Sequence, residues 1–183
     1  HLDEKDLDFY QRRGVHVTYN PVSNMKLASG IMPYREMRDR GIPVSLGTDG
    51  AQSNNSMDLL RDLREGVLLQ KVTARDARVL SAREAVRMVT IEGAKALRME
   101  RELGSLECGK RADLIVLDPR SPRLTPLHRW DLEHLYGAVT YAACGPDVRD
   151  VMVDGCWLMQ DRNILSFDEE EVLREGQRAC AYL

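Results

Sequence analysis

Residues 44–56, VSLGTDGAQSNNS, carry an apolar run that stops at Asp49, which is flanked by Gly47 and Gly50 and followed by Ser53, Asn54 and Asn55. In parallel α/β folds, catalytic groups gather at the C-terminal ends of strands, and Asp49 stands at such a place. The flanking glycines let the backbone turn sharply and approach a ligand closely. Ser53 and Asn54 can hydrogen-bond a substrate or orient the carboxylate. The same pattern suits an Asx turn, in which Asp49 only satisfies neighbouring N–H groups, and the pattern alone leaves both readings open. The stretch NPVSNMKLASG ends the preceding strand on the same rim and offers Asn20, Ser23 and Asn24 as site residues. Locally, Asn-Pro followed by Ser and Asn is equally good turn chemistry.

Other reactive side chains carry less. His16 lies inside a strand rather than at its end, which favours a core or surface histidine over a ligand. His128, in a Pro-flanked loop, and His134, on a helix, show no metal-pair spacing and read as structural. Lys110 and Arg111 in GKRAD fall in a turn, where solvated charge is the ordinary explanation. A serine-hydrolase elbow, a P-loop and a dinucleotide fingerprint are absent. Cys108, Cys144, Cys156 and Cys180 are too widely spaced for a metal knuckle and too few for a disulfide scaffold, so they are expected as reduced, mostly buried thiols.

The elements that must position these groups follow from local signals. LDEKDLDFYQRRG has acids early, arginines late and Gly14 at its end, as a capped helix requires. VHVTYNP reads as a strand closed by a turn, VSNMKLASG as a loop, PYREMRDRG as a helix and IPVSLG as a strand covered on both faces. MDLLRDLREGVLLQK supplies the next helix, completing a parallel βα repeat. Ser81 and Glu84 form a capping box that starts another helix, and EGAKALRM gives a short one. Near Leu103 the character changes. LGSLECGKRADLIVLD predicts a short strand, a Gly109-Lys110 turn and a buried strand, and VRDVMVDGCWLMQDRN predicts a hairpin around Asp154-Gly155. DLEHLYGAV and FDEEEVLREGQRACAYL read as helices. The division is therefore residues 1–102, parallel α/β, and 103–183, α+β with antiparallel strands.

With 183 residues, 43% of them hydrophobic, the chain can bury one ordinary domain with room for a second small one. Its net charge of −3 is dispersed, with no basic block to suggest nucleic acid or an anionic membrane as a partner. No apolar run approaches the roughly 20 residues of a membrane span, and the start has no signal-peptide pattern, so the expected location is the cytoplasm.

Taken in order, YNPVSNMKLASG, GIPVSLGTDGAQSNNSMDLL, LLQK, TIEGAKAL, LGSLECGKRADLIVLD and VMVDG resemble the amidohydrolase superfamily, in particular its 5'-methylthioadenosine/S-adenosylhomocysteine deaminases and triazine hydrolases. Gly-Lys-x-Ala-Asp recurs broadly by itself; the ordered set is specific and covers almost the whole chain. The resemblance implies a (β/α)8 barrel with one divalent metal, usually zinc or iron. Its ligands are a His-x-His pair after the first barrel strand, a histidine after the fifth and an aspartate after the eighth. By motif match Asp49 is that aspartate, implied to bind the metal and to shuttle a proton from the metal-bound water to the substrate. A divalent ion brings the pKa of bound water from about 15.7 to roughly 7.

On this resemblance VHVTY is the seventh barrel strand and PVSLG the eighth, and the later strands belong to a flanking β-sandwich normally shared with an N-terminal segment. A complete barrel needs about 250 residues, and the sequence contains no His-x-His. The chain is therefore expected to be a C-terminal portion that depends on the N-terminal part of the same protein, binds metal poorly alone and exposes its open barrel edges. His1 matches a variable family position and is not expected to be catalytic. Tyr19 departs from the histidine that many relatives have before Asn-Pro, which weakens transfer of substrate specificity. The implied activity is hydrolysis of a C–N bond on a nitrogen heterocycle, an adenosine derivative first. Triazine, guanine or cytosine substrates are alternatives, as is a non-catalytic oligomerisation module, and the whole protein is expected to be a homo-oligomer.

Overall fold

A computed structural model describes residues 2–127 and 131–180; the expectations for His1 and His128 fall outside these. Helix α1, Glu4–Arg13, starts with a reciprocal capping box. The Asp3 carboxylate accepts from the Lys5 and Asp6 N–H groups at 2.8 and 3.0 Å, while the Asp6 carboxylate accepts from the Asp3 N–H at 2.9 Å. It stops at Gly14, whose φ of 61° places it in the left-handed region that glycine adopts without strain.

Strand β1, Val17–Tyr19, is followed directly by α2, Pro21–Lys26. The expected loop there is a helix instead. Pro21 occupies the first helical position, where its fixed φ and missing N–H suit a helix start, so Asn-Pro marks a helix N-terminus as readily as a turn. His16 precedes β1 rather than lying inside it. Helix α3, Tyr34–Asp39, leads to β2, Val44–Leu46, which is buried at all three positions. Helix α4, Ala51–Asn54, is a single turn that sequence patterning did not indicate. Helix α5, Leu59–Ala74, is capped by Asp58; α6, Ala82–Met88, by the Ser81 and Glu84 box; and α7, Ile91–Ala96, follows.

Strands β1 and β2 pair in parallel, Val17 with Val44 and Tyr19 with Leu46. Tyr19, Leu46, Met37, Leu63, Val67, Leu80 and Met88 form the core between this pair and the helices. Helix α5 comes close because of Gly66. A Cβ there would meet the Tyr19 ring and Pro21 at 3.1 Å and Leu46 at 3.3 Å, tighter than side chains normally tolerate.

The remainder contains β3, Leu114–Leu117; α8, Leu132–Tyr141; a 3-10 turn, Gly145–Asp147; β4, Val148–Val153; β5, Cys156–Gln160; β6, Asn163–Ile164; and α9, Glu169–Cys180. The strands form an antiparallel sheet in the order β3-β4-β5-β6. Its β4-β5 hairpin turns at Asp154 and Gly155, with φ of 49° and 76°, the paired positive values of the turn that follows strand twist. Helix α8 leaves this sheet and packs on α6 and α5, where Thr140 Oγ1 donates to the Ala82 carbonyl at 3.3 Å. Asp58 joins the two regions: one oxygen caps α5, and the other accepts from the Gly145 N–H at 2.8 Å.

Three further expectations need correction. The short strand within LGSLECGK does not form; the segment wraps α7, and a Cβ at Gly104 would come within 2.8 Å of Ile91 Cα. Lys110 is not solvated: its side chain is 12% exposed, and its ammonium donates to Ser105 Oγ at 2.6 Å and pairs with Glu107 at 3.3 Å. The thiols are free, but Cys108, Cys156 and Cys180 are exposed and Cys144 is half-buried, because they lie in a surface turn, on an uncovered sheet and on an unpacked helix.

Buried carboxylates hold the antiparallel region together. Burial alone would push Asp147 up, but the Arg123 guanidinium, donating to both its oxygens at 3.2 Å, and the Cys144 N–H outweigh it and hold Asp147 well below the usual carboxylate range. Arg120 holds Asp118 down to about 2. Both pKa values are depressed in the fold, so their contribution is complete above the unfolded carboxylate pKa, about 4, and disappears as pH falls through the folded values. Thermal melts are therefore expected to stay level from neutral pH to about 5 and to drop steeply between about 4 and 2. Asp118→Asn should flatten that drop; an equal drop in the variant contradicts the assignment.

Candidate functional site

The rim beyond the C-terminal ends of β1 and β2 is built by two short helices, α2 and α4, and the turn that precedes α4. Gly47, the first residue after β2, lies so close to β1 that a Cβ would meet Asn20 Oδ1 at 2.8 Å and Thr18 Cγ2 at 3.1 Å. A side chain there would displace the Asn20 amide. Two residues on, Asp49 adopts φ of 63°, a left-handed conformation that non-glycine residues hold only when their surroundings impose it.

Those surroundings are visible. The Oγ of buried Ser23, from α2, donates to Asp49 Oδ2 at 2.5 Å, and Ser53 Oγ, from α4, donates to the same oxygen at 2.8 Å. The Gly50 N–H donates to Oδ1 at 2.8 Å. These bonds, Ser23 first, then Ser53 and Gly50, hold the Asp49 carboxyl below the usual range, so it is ionised at neutral pH. A carboxylate has about four lone-pair sites. Three are used, and the spare capacity is on Oδ1, on an exposed side chain.

The other expected site residues divide. Ser23 and Ser53 converge on Asp49, so their hydroxyls orient the carboxylate. Asn20 lies against Gly47, and its amide makes no cap bond to α2. Asn24 lines a cleft with Thr18, Ser29 and Met32 beside β1. Asn54 is turned inward: its Nδ2 donates to the Thr48 carbonyl at 2.7 Å and to both Asp62 oxygens at 3.0 and 2.9 Å, and its Oδ1 accepts from the Ser56 N–H. Tyr19 also points away from the rim. Its hydroxyl accepts from Gln70 at 3.2 Å within the core, while the residue borders the same cleft as Asn24.

Sequence reasoning missed Lys26, which straps α2 to α4 by donating to the Gln52 carbonyl at 2.8 Å and to Asn55 Oδ1. It also missed Asp62. The signal for Asp62 was present, since it shares the apolar stripe of α5 with Leu63, Gly66, Val67 and Gln70.

The profile of the Amidohydrolase family matches residues 1–158, and the chain belongs to that family. Among curated relatives, it is 43% identical to the 5'-deoxyadenosine deaminase of Methanosarcina mazei and 42% identical to the 5-methylthioadenosine/S-adenosylhomocysteine deaminase of Desulforamulus reducens. In each case all of this chain is covered, but only 40% and 41% of the relative. The chain thus spans about two fifths of the length of these relatives. Among solved structures, an adenosine deaminase from Xanthomonas campestris with bound zinc superposes with a TM-score of 0.90 at 33% identity, over 97% of this chain and 39% of that one. An atrazine chlorohydrolase from Arthrobacter aurescens, complexed with zinc, gives 0.84 at 26% identity, over 97% and 38%.

A divalent cation suits Asp49 as one donor. It is ionised, exposed and one lone pair short of saturation, and oxygen donors are acceptable to zinc. Among the described residues, no group of three His, Cys, Asp or Glu side chains could hold a metal ion. The residues present thus fit one ligand position. Ser23→Ala removes the shortest of the three hydrogen bonds and is expected to raise the Asp49 titration midpoint toward the ordinary carboxylate value, as read by 13C NMR of its carboxyl. An unchanged midpoint contradicts the assignment of Ser23.

Proposed function

We propose that the protein to which this chain belongs is a metal-dependent hydrolase that deaminates an adenosine derivative of the methylthioadenosine, S-adenosylhomocysteine or 5'-deoxyadenosine kind. The observation that carries this reading is the exposed, ionised Asp49 at the end of a parallel strand, held by three donors with one position to spare. Its membership of the amidohydrolase family and the 42–43% identity to enzymes named for such substrates support the same reading. The lower 26% identity to the triazine enzyme ranks a chlorinated or aminated triazine second.

In this reading β1 and β2 are the seventh and eighth strands of a (β/α)8 barrel, residues 1–102 belong to it, and 103–183 contribute part of a β-sandwich. The open edges of β1 and β2 and the half-covered antiparallel sheet suit completion by further strands of the same protein. Asp49 would hold one zinc, or iron, with the other ligands outside this chain. A bound divalent ion supplies a water acidic enough to attack at neutral pH.

The reaction adds water to the ring carbon that carries the exocyclic amine, breaks the C–N bond and releases ammonia. Asp49 would take the proton lost by the attacking water on Oδ2, with one serine hydroxyl turning away to free a lone pair, and return it to the departing nitrogen. Asn20 and Asn24, on the same rim, would contact the heterocycle. Among the described residues no helix is long and apolar enough to cross a membrane. A cytoplasmic site of action and homo-oligomeric assembly belong to this proposal. The non-catalytic assembly reading finds support in the exposed Val172 and Leu173 of α9, but it leaves the three donors to Asp49 without a purpose.

The test is ammonia release from a panel of purine nucleosides and triazines by the protein expressed from its whole reading frame. Adenosine derivatives should be the best substrates, and Asp49→Asn should lower kcat between about 100- and 10,000-fold. An Asp49→Asn protein with full activity, or activity on triazines alone, overturns the proposal.

A further inference from the structure

We propose that Asp62 and Asn54 are positioning residues for Asp49, and that their bonded pair sets the backbone conformation in which the carboxylate is presented. The inference rests on the hydrolase reading for its catalytic consequence, while its structural content stands without it.

The Asp62 side chain is fully buried in α5, at 0% exposure, within the apolar stripe that packs on β1 and β2. Among the described residues no lysine, arginine or histidine forms an ion pair with it, and its hydrogen bonds come from the Asn54 amide, at 3.0 and 2.9 Å. A buried carboxylate without a cation costs free energy, and an apolar residue of similar size would ordinarily be more stable there. Burial accordingly pushes the Asp62 carboxyl up, against the Asn54 hydrogen bonds. Packing therefore does not account for the aspartate.

The Asn54 amide does. One part of its Nδ2 donation goes to Asp62 and the other to the Thr48 carbonyl, at 2.7 Å. Swapping its oxygen and nitrogen would set an amide oxygen against the carboxylate, so Asp62 dictates which way Asn54 faces. The Thr48 carbonyl belongs to the peptide plane that leads into Asp49. Rotation from that plane about the Asp49 N–Cα bond is the φ of 63°. Asn54 thus fixes one side of the rotation, while Ser23, Ser53 and Gly50 fix the carboxylate on the other. Releasing the Thr48 carbonyl frees Asp49 to relax out of the left-handed region, carrying its carboxylate off the rim.

The experiment compares the whole protein with Asp62→Ala and Asp62→Asn variants. Three readouts are used: exchange of the Gly50 N–H, zinc affinity by chelator competition, and the separation of kcat from KM. Asp62→Ala should speed Gly50 exchange and weaken zinc each by about tenfold or more, the usual size for loss of a group that orients a ligand. Amides of α1 should exchange at the original rate. Its kcat should drop by a similar factor, with KM within about twofold. Asp62→Asn retains an acceptor for Asn54 and should restore all three to within about threefold. Unchanged Gly50 exchange in Asp62→Ala, or equal losses in both variants, overturns the inference. Should Asp62→Ala not fold, Asn54→Ser is read in the same way, and wild-type Gly50 exchange in that variant likewise overturns it. If no nucleoside is deaminated by the wild-type protein, the hydrolase reading fails, and Gly50 exchange still decides the positioning role.

Discussion

The carboxylate of Asp49, held by the Ser23 and Ser53 hydroxyls and the Gly50 N–H, is the interaction on which the organisation of the rim depends. Each donor comes from a different local solution of the backbone. Ser23 is delivered by a helix that begins on Pro21, Ser53 by a one-turn helix, and Gly50 by the turn between strand and helix. Bringing them together requires α2, α4 and the end of β2 to be held in register. Lys26 does this from outside, across α2 and α4, and Asn54 does it from inside, between the turn and α5.

The core makes that register affordable to the backbone. Parallel pairing of β1 with β2 sets Tyr19 against Leu46, and Gly66 lets α5 approach both. An aspartate in a left-handed conformation is a strained element, and the rigid packing of strands against α5 is what keeps it in place. Strain at the Asp49 carboxylate and dense packing behind it are thus two ends of one construction. The antiparallel region is held differently, through carboxylates paired with arginines, and it is tied to the first region by Asp58 and by α8 on α5 and α6.

Much of this was legible in the sequence, for stateable reasons. The capping boxes at Asp3 and Ser81, the glycine stop at residue 14 and the Asp154-Gly155 hairpin rest on backbone chemistry confined to a few neighbours, and short-range signals report it faithfully. Asp49 itself was singled out through the ordered motifs that resemble the family, since the local pattern suits an Asx turn equally well. The helical state of residues 21–26 was not legible, since Asn-Pro-x-Ser serves turns and helix starts alike. Nor was the inward turn of Asn54, or the burial of Lys110, because each depends on a partner that folding supplies from another segment. Ser23 and Ser53 were recognised as site residues, but their convergence on one oxygen of Asp49 is a three-dimensional fact that spacing does not encode.

Anomalous diffraction at the zinc edge, from crystals of the whole protein, tests the central claim most directly. The account predicts a zinc peak about 2.0–2.2 Å from an Asp49 carboxylate oxygen, with Ser23 and Ser53 still donating to Oδ2. A zinc ion bound elsewhere, with Asp49 engaged only by Ser23, Ser53 and Gly50, would contradict it.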